Sequence, residues 1–593
     1  MDTDLASIQD VRDALASAAA AQARYKTASQ DDVDRIVAAM VEAGAAQAER
    51  LGRLAFEETG FGRPESKTQK NLFATRTLAA RMEGMRTAGI ISKGEGVWEV
   101  ATPMGVVAAL VPSTNPTATA LYKAILAAKA RCAIVMSPHP RAARCTAEAT
   151  RVVAEAAVAA GAPEGLFHCL TNVTLAATDA LLEHPLTSVI LATGGGPMVR
   201  AAYSKGKPAY GVGSGNVPAY VDRSANVAKA AADILTGVSF DWGTLCSTER
   251  SVVADAPIRA KLLDAFRERG GHVCSPDETA RLRAVIKPGG TFNTDIVGQS
   301  PCRIAEMAGF SVPDGALALI AEVDAVGPSE PLSMETLSPI LSFYTADGWE
   351  AGCARCVEVL EFGGIGHTMA LHAEADRVVE QFALYKPAMR IVVNTVAALG
   401  SVGMTTDLFP AMTLGPGTIG GSITSDNVGP MHLVNVKRVA FETHPLNDAS
   451  GARLDGSVST GADRRGSTGA SRPAPGSTPA PSVSARSTAG AGSGGGSWMD
   501  RIEERLRDRA GNRAFENGAG TPAGGGPAHR ASDNGGARRE GRTGAPAPTP
   551  ARPSGPPSPG ATPEGTAQSK PSGAPSSALS DAAIEALVRR FRT

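Results

Sequence analysis

The feature that most constrains the fold is a regular alternation of short apolar runs with helical stretches. Apolar runs at residues 106–111, 133–136 and 188–192 each predict a buried strand, while residues 118–130 and 142–160 predict the intervening helices. Strand, loop, helix and strand in this order indicate a doubly wound parallel sheet. The predicted class is therefore α/β, with ligand-binding loops at the carboxyl ends of the strands.

The composition changes near residue 446. From Asn447 onward Gly, Pro, Ser, Ala and Thr dominate, so residues 447–593 are expected to form a disordered tail. Two stretches in it, 497–509 and 580–592, carry apolar stripes at helical spacing. Because isolated helices this short are marginal in water, we expect them to dock on a partner. The alternatives are chance periodicity and a helix lying on a membrane surface.

Charge and cysteine content exclude several classes of protein. A formal net charge of -1 implies no bulk attraction to nucleic acid or to a membrane. The acidic start of the chain does not resemble a secretory signal, and no apolar stretch has membrane-spanning length. With these features, 8 cysteines predict reduced thiols in a cytoplasmic protein. Cys353 and Cys356 fall in a predicted helix (350–360), so no metal site is expected.

Cys246 is the most reactive-looking side chain. It ends the glycine-bearing stretch 240–246 and precedes a strand-like run, Ser251 to Val253. A thiol at the end of a loop is placed to act as a nucleophile, and its thioester is chemically competent for acyl transfer. A buried, unreactive cysteine is the alternative.

Three further loops could serve the same site. Asn115 stands between two prolines after a predicted strand, where its amide could donate to an oxyanion or could serve an ordinary turn. The triple-glycine loop 193–196 and the glycine-bearing stretch 211–216 permit close approach of backbone to a ligand. Glu335 precedes a turn that ends in proline.

Taken in order, these motifs resemble the aldehyde dehydrogenase superfamily. The motifs are STNP around Asn115, SPHPRA at 137–142, TGGG at 193–196, GVGSGNVP from Gly211, FDWGTLCS around Cys246, ETLSP from Glu335, and FGGIGHT at 362–368. They are most similar to the CoA-acylating branch, which converts acetaldehyde or propionaldehyde into acyl-CoA. The resemblance spans nearly all of residues 1–446 and leaves the tail outside it.

The resemblance implies a mechanism. Cys246 would attack the aldehyde carbonyl, Asn115 and the backbone N–H of Cys246 would hold the oxyanion, and an acyl thioester would remain on Cys246. Hydrolytic members carry a general-base glutamate in an ELGG-type motif, whereas the corresponding stretch here, 210–216, contains no carboxylate. Without a base for water a thiol competes better, so coenzyme A is the expected acyl acceptor.

The resemblance also implies the cofactor and its residues. NAD is expected, and NADP stays open because no acidic residue stands at 137–142 to reject a 2′-phosphate. His367 would assist deacylation or line the coenzyme A entrance, the alternative being an ordinary loop histidine. The expected cofactor-binding residues are Pro112, Ser113, Thr114, Ser137, His139, Pro140, Arg141, Thr193, Gly194, Gly195, Gly196 and Glu335.

The implied organisation has three parts. Residues 1–221 and 411–446 would form a nucleotide-binding domain with an oligomerisation hairpin near 94–101, and residues 222–410 a catalytic domain. A dimer or tetramer is expected. The tail helices look like the encapsulation peptides of enzymes packed into bacterial microcompartments, which predicts shell or cargo proteins as partners.

Two alternative functions remain open. One is a hydrolytic aldehyde dehydrogenase that releases the free acid. The other is a microcompartment organiser that has a dehydrogenase-like body, although the combination of Cys246, Asn115 and Glu335 argues against an inactive enzyme.

Overall fold

The structure, a computed structural model, describes residues 3–452, and within them fifteen strands form three sheets. The strands are β1 Ile90–Lys93, β2 Val97–Pro103, β3 Val106–Val111, β4 Ala133–Pro138, β5 Phe167–Cys169, β6 Thr187–Thr193, β7 Ala209–Val212, β8 Val217–Val221, β9 Glu249–Asp255, β10 Gly271–Val273, β11 Ala318–Glu322, β12 Ile340–Ala346, β13 Met369–His372, β14 Ile391–Val393 and β15 Val434–Ala440. Short 3-10 turns are left unnumbered.

Sixteen α-helices connect or cover these strands within the same residues. They are α1 Thr3–Tyr25, α2 Gln30–Ala46, α3 Ala48–Thr59, α4 Pro64–Leu72, α5 Leu78–Met82, α6 Pro116–Lys129, α7 Ala143–Ala159, α8 Leu175–Glu183, α9 Gly196–Tyr203, α10 Val227–Ser239, α11 Arg259–Glu268, α12 Pro276–Ile286, α13 Pro301–Met307, α14 Trp349–Gly363, α15 Asp376–Tyr385 and α16 Ala397–Gly400. One π-helical segment, Phe73–Thr77, joins α4 to α5.

The first sheet confirms the α/β prediction. It contains five parallel strands in the order β5-β4-β3-β6-β7. The chain leaves β3 towards β4 and later returns to its other side as β6, so the strand order reverses at β3 and β6. Loops diverge at such a point and open a crevice at the carboxyl ends of the strands, where ligands bind in open α/β sheets.

A buried lysine holds the two strands of this crevice together. Lys123 on α6 donates to the carbonyl oxygens of Leu110 on β3 at 2.7 Å and Leu191 on β6 at 2.9 Å. Every residue of α6 is buried, which explains why this helix is rich in alanine on all of its faces. Burial lowers the pKa of Lys123 to about 7.

The second sheet contains seven parallel strands in the order β10-β11-β12-β9-β8-β13-β14. Its central strands β8 and β9 are buried along their whole lengths, as expected for a parallel sheet with both faces covered. Four predicted site segments immediately precede strands of this sheet. The loop containing Gly215 precedes β8, Cys246 precedes β9, Glu335 precedes β12 and His367 precedes β13.

The third sheet joins the predicted hairpin to the end of the described chain. β2 pairs antiparallel with both β1 and β15, in the order β1-β2-β15. The role of this sheet in oligomerisation stays a prediction, as do the domain boundaries. The sheets show which strands belong together but not where a domain begins. The strand β8 belongs to the seven-stranded sheet, although its residues precede the predicted domain boundary at 221/222.

The described residues also include the segment with Cys353 and Cys356. Cys353 and Cys356 lie in α14 and are buried, as the helical interpretation of that segment predicts. No helix within residues 3–452 has the length and apolarity needed to span a bilayer. The predicted tail helices at 497–509 and 580–592 lie outside the described residues.

Candidate active site

Cys246 lies in a tight loop between α10 and β9. A 3-10 turn at Phe240–Gly243 opens the loop, and Asp241 and Trp242 adopt left-handed backbone conformations with φ of 48° and 49°. The half-buried Cys246 places its Sγ 3.2 Å from Nε2 of His367. The other ring nitrogen of His367, Nδ1, lies 3.0 Å from the Thr368 hydroxyl. The structure therefore pairs the predicted nucleophile with an imidazole.

Burial keeps this pair uncharged. It raises the pKa of Cys246 to about 12, an effect that the Glu335 carboxylate reinforces and the Arg390 guanidinium opposes. Burial also lowers the pKa of His367 to about 3, and Arg390 adds to this shift. Near neutral pH both groups are thus in their neutral forms. His367 Nε2 can accept the thiol proton as the sulfur attacks, which is general-base activation of a nucleophile.

The stretch 211–216 packs directly against the Cys246 backbone. A Cβ added to Gly215 would lie 1.7 Å from the carbonyl oxygen of Cys246, and one added to Gly364 would lie 1.8 Å from the carbonyl oxygen of Gly215. Neither position has room for a side chain. This stretch contains no carboxylate, as the sequence shows, but its Gly215 N–H donates to Glu335 Oε1 at 2.9 Å. Burial raises the pKa of Glu335.

Asn115 reaches the same loop from the five-stranded sheet. It follows β3, immediately before α6, and its Nδ2 donates to the carbonyl oxygen of Thr244 at 3.2 Å and to the Thr114 hydroxyl at 3.1 Å. The side-chain oxygen of Asn115 accepts a hydrogen bond from Lys70. Both the nitrogen and the oxygen of the amide are therefore held. The residue that the nitrogen contacts, Thr244, lies two positions before Cys246 in the sequence.

Sequence reasoning missed the buried charge network that holds this amide. Asp241 is 0% exposed, and its Oδ2 accepts from Lys70, from Lys67 at 3.2 Å and from the Thr244 hydroxyl at 2.6 Å. Burial alone would raise the pKa of Asp241, but Lys67 and Lys70 lower it overall. The one available signal was a pair of lysines three residues apart on α4, which by itself is typical of any solvated helix.

The predicted adenosine-side residues lie at the carboxyl end of β4. The His139 N–H donates to the carbonyl oxygen of Val111 on β3 at 2.9 Å, and its Nδ1 accepts from the Arg141 N–H at 3.1 Å. Pro140 and Arg141 are exposed. Ser137 is buried with its hydroxyl 2.9 Å from that of Thr178, so this side chain is already engaged within the protein.

The triple-glycine loop follows β6 and opens α9. Gly194 N–H donates to the carbonyl oxygen of Val212 at 3.3 Å, and the Thr193 hydroxyl lies 3.0 Å from that of Thr413. Gly195 precedes α9 without a side-chain cap, and the nearest atom to a Cβ added there would be 3.9 Å away. An uncapped helix start with open space beside it fits a dinucleotide phosphate, because free backbone N–H groups at a helix N-terminus bind anions, although Pro197 supplies none.

The sequence is similar to known dehydrogenases. Residues 1–280 match the model of the aldehyde dehydrogenase family. The chain is 40% identical over 430 residues to the bifunctional aldehyde-alcohol dehydrogenase AdhE of Escherichia coli K12, covering 71% of this chain and 48% of that protein. It is 33% identical over 434 residues to the succinate-semialdehyde dehydrogenase (acetylating) of Clostridium kluyveri, covering 73% and 95%. The chain thus spans about half the length of the aldehyde-alcohol dehydrogenases it matches.

Solved structures share the fold. An acetylating aldehyde dehydrogenase from Geobacillus thermoglucosidasius superimposes with a TM-score of 0.74 at 48% identity, over 76% of this chain and 100% of that one. Propionaldehyde dehydrogenase from the Clostridium phytofermentans fucose utilisation bacterial microcompartment gives 0.67 at 25% identity, over 73% and 97%. Rhodopseudomonas palustris propionaldehyde dehydrogenase with bound CoA and an acylated cysteine gives 0.66 at 28% identity, over 73% and 97%.

The network predicts that Lys70 acts through Asn115. Asn115→Ala should lower kcat for aldehyde oxidation about 10²- to 10³-fold, the usual cost of removing an oxyanion-hole donor. Lys70→Met should also lower kcat, but the double variant should be little slower than Asn115→Ala, because Lys70 then has no amide left to orient. Steady-state kinetics of the four proteins measures this coupling.

Lys67→Met is the matched control. Lys67 contacts Asp241 and the carbonyl oxygen of Thr114 but not the Asn115 side chain. Its loss should destabilise the fold, since breaking a buried ion pair costs about 3–5 kcal/mol. Its effect on kcat should add to that of Asn115→Ala. Independent, multiplying effects of Lys70→Met and Asn115→Ala would contradict the assigned role of Lys70.

Proposed function

Because the chain belongs to the acylating branch of the aldehyde dehydrogenase family, we propose that it oxidises a short aliphatic aldehyde to an acyl-CoA with NAD as hydride acceptor. The observation that carries the proposal is the 3.2 Å contact between Cys246 Sγ and His367 Nε2, beside the anchored Asn115 amide. This arrangement supplies a nucleophile, a proton acceptor and an oxyanion donor in one place.

In the first step Cys246 attacks the aldehyde carbonyl. His367 Nε2 takes the thiol proton as the C–S bond forms, so no free thiolate is needed. The imidazolium, which burial also disfavours, then releases this proton to solvent. The developing oxyanion is held by Asn115 Nδ2 and by the backbone N–H of Cys246. The Asn115 Nδ2 donates to both the Thr114 hydroxyl and the Thr244 carbonyl oxygen, so the bond to Thr114 would open when the oxyanion binds.

Bound NAD would supply the hydride acceptor that converts the sulfur adduct into an acyl thioester. The residues that would hold the dinucleotide are the loop 193–196 at the start of α9 and the segment from His139 to Arg141 after β4. Glu335, whose Oε1 accepts from the Gly215 N–H, would bind the ribose. NADP stays a possible alternative for the same site.

The fate of the thioester decides the reaction class. The stretch 211–216 beside Cys246 carries no carboxylate, and the nearby Glu335 is held by the Gly215 N–H. After acylation, His367 Nε2 is positioned to take the proton of an incoming thiol and to return it to the Cys246 sulfur as that sulfur leaves. The acetylating relative from Clostridium kluyveri and the CoA-bound Rhodopseudomonas palustris structure support coenzyme A as that thiol.

One observation favours a second candidate, a hydrolytic dehydrogenase that releases the free acid. Glu335 lies near enough to raise the pKa of Cys246, so a carboxylate capable of activating water is in the neighbourhood. Burial raises the pKa of Glu335, which favours a role as a base, but the hydrogen bond from the Gly215 N–H opposes this rise and holds Oε1. The acylating relatives favour transfer to a thiol instead. We therefore place hydrolysis second.

Dependence on coenzyme A separates these two activities. With aldehyde and NAD alone, the enzyme should release at most about one equivalent of NADH per active site, because the thioester cannot discharge. Adding coenzyme A should start steady turnover with equal amounts of NADH and acyl-CoA. Cys246→Ala is the control and should show neither phase. Sustained NADH production without coenzyme A, with free acid as the product, would reject the acylating proposal.

The residues after 446 suggest a cellular context. We propose that the stretches 497–509 and 580–592 direct the enzyme, a homo-oligomer, into a bacterial microcompartment by docking on shell or cargo proteins. Support comes from their apolar stripes and from the similar propionaldehyde dehydrogenase of a fucose utilisation microcompartment. A shell that retains volatile aldehydes suits the proposed substrate.

Truncation tests this role. A chain ending at residue 452 should keep the kcat of the full chain, since the candidate site lies wholly within residues 3–452. It should fail to co-sediment with purified microcompartment shells that retain the full-length protein. A full-length chain carrying charged substitutions at Ile584 and Leu587 is the matched control and should behave like the truncation. Equal shell binding by all three proteins would contradict the docking proposal.

A further inference from the structure

A second cluster of metal-binding side chains lies at the edge of the seven-stranded sheet. His272 lies on β10, Cys274 follows it, and Glu278 stands in the first turn of α12. One ligand atom from each lies within 4.8 Å of the other two. No other group of three such side chains meets this condition among the residues that the structure describes. The sequence predicts no metal site, and no local pattern marks this cluster.

We propose that His272, Cys274 and Glu278 form a binding site for a zinc-type divalent cation, with water as the fourth ligand. An imidazole nitrogen, a thiolate sulfur and a carboxylate oxygen are the ligands that zinc takes in tetrahedral sites. Three atoms within 4.8 Å of one another share a point at most about 2.8 Å from each, whereas zinc bonds measure about 2.0–2.3 Å. Small side-chain movements, less than about 1 Å, would complete the site.

Contacts within the protein already orient the three side chains. Glu278 belongs to a capping box in which its Oε2 accepts from the Ser275 N–H at 2.7 Å. The same oxygen lies 3.3 Å from Nε2 of His272, a contact that a bound ion would replace. The ring of His272 stacks on Phe310 at 6.1 Å between centroids. The Cys274 N–H donates to the carbonyl oxygen of Ile320 at 2.8 Å, which fixes its backbone beside β11.

The site is accessible to an ion and to water. The side chains of His272 and Glu278 are 23% and 21% exposed, while Cys274 is buried behind them. A bound ion would join the three-residue edge strand β10 to the start of α12 by bonds that the hydrogen-bonded sheet lacks. An ion that binds only the folded chain stabilises it by mass action. The site shares no residue with the proposed active site and does not depend on the proposed function.

Cobalt titration of the full-length chain tests the proposal. Cys246→Ala provides the background, because it removes the other thiol that is paired with a histidine. We expect one equivalent of Co²⁺ to bind with a thiolate-to-cobalt charge-transfer absorption, and Zn²⁺ to displace it. Cys274→Ser in this background should abolish the absorption. Cys302→Ser, at a cysteine outside the cluster, should leave it unchanged.

A conservative variant separates metal binding from helix capping. Glu278→Gln keeps a residue that can complete the capping box but removes the anionic ligand. It should leave the melting temperature without metal unchanged and weaken Zn²⁺ binding more than about tenfold. Zn²⁺ should raise the melting temperature of the background protein and not that of the Cys274→Ser variant. Absence of a bound equivalent, or an absorption that survives Cys274→Ser, would overturn the proposal.

Discussion

The candidate site depends on one buried carboxylate. Asp241 accepts hydrogen bonds from Lys67 and Lys70 in a region closed to water, and a buried charge without partners is costly. The same group accepts from the Arg63 N–H at 2.7 Å and the Thr244 hydroxyl at 2.6 Å. It thereby ties α4 to the loop before β9. Lys70 extends the tie to Asn115, so the nucleophile's loop and the oxyanion donor share one anchor.

This anchor joins opposite ends of the two parallel sheets at the site. Asn115 follows the carboxyl end of β3, whereas Cys246, Glu335 and His367 precede the amino ends of β9, β12 and β13. The carboxyl-end loops of the five-stranded sheet thus contact the amino-end loops of the seven-stranded sheet. A dinucleotide on the first sheet would therefore face a nucleophile carried by the second, the arrangement that hydride transfer to a bound cofactor requires.

Local sequence patterns predicted the elements well, since fully buried parallel strands are continuous apolar runs. Residues 106–111 form β3 with the predicted bounds. The strand predicted at 133–136 is two residues longer in the structure, Ala133–Pro138, because its pairing with β3 continues through Ser137 and Pro138. The fold class and the family also followed from the sequence.

The contacts between these elements could not be predicted from the sequence. Cys246 and His367 are 121 residues apart, and Lys70 and Asp241 are 171 apart. No local periodicity reports such pairs. The metal-binding cluster was missed for a different reason: Cys274 and Glu278 flank an ordinary helix start, so Glu278 is already explained as a capping residue. The roles assigned to the individual site residues stay predictions.

The proposed mechanism requires that the acyl thioester on Cys246 is stable until a thiol attacks it. Mass spectrometry of the intact enzyme, mixed with aldehyde and one equivalent of NAD, measures this directly. We expect one acyl adduct on Cys246 that persists far longer than a turnover and disappears within a turnover once coenzyme A is added. An adduct that decays to free acid at the turnover rate before coenzyme A is added would contradict it.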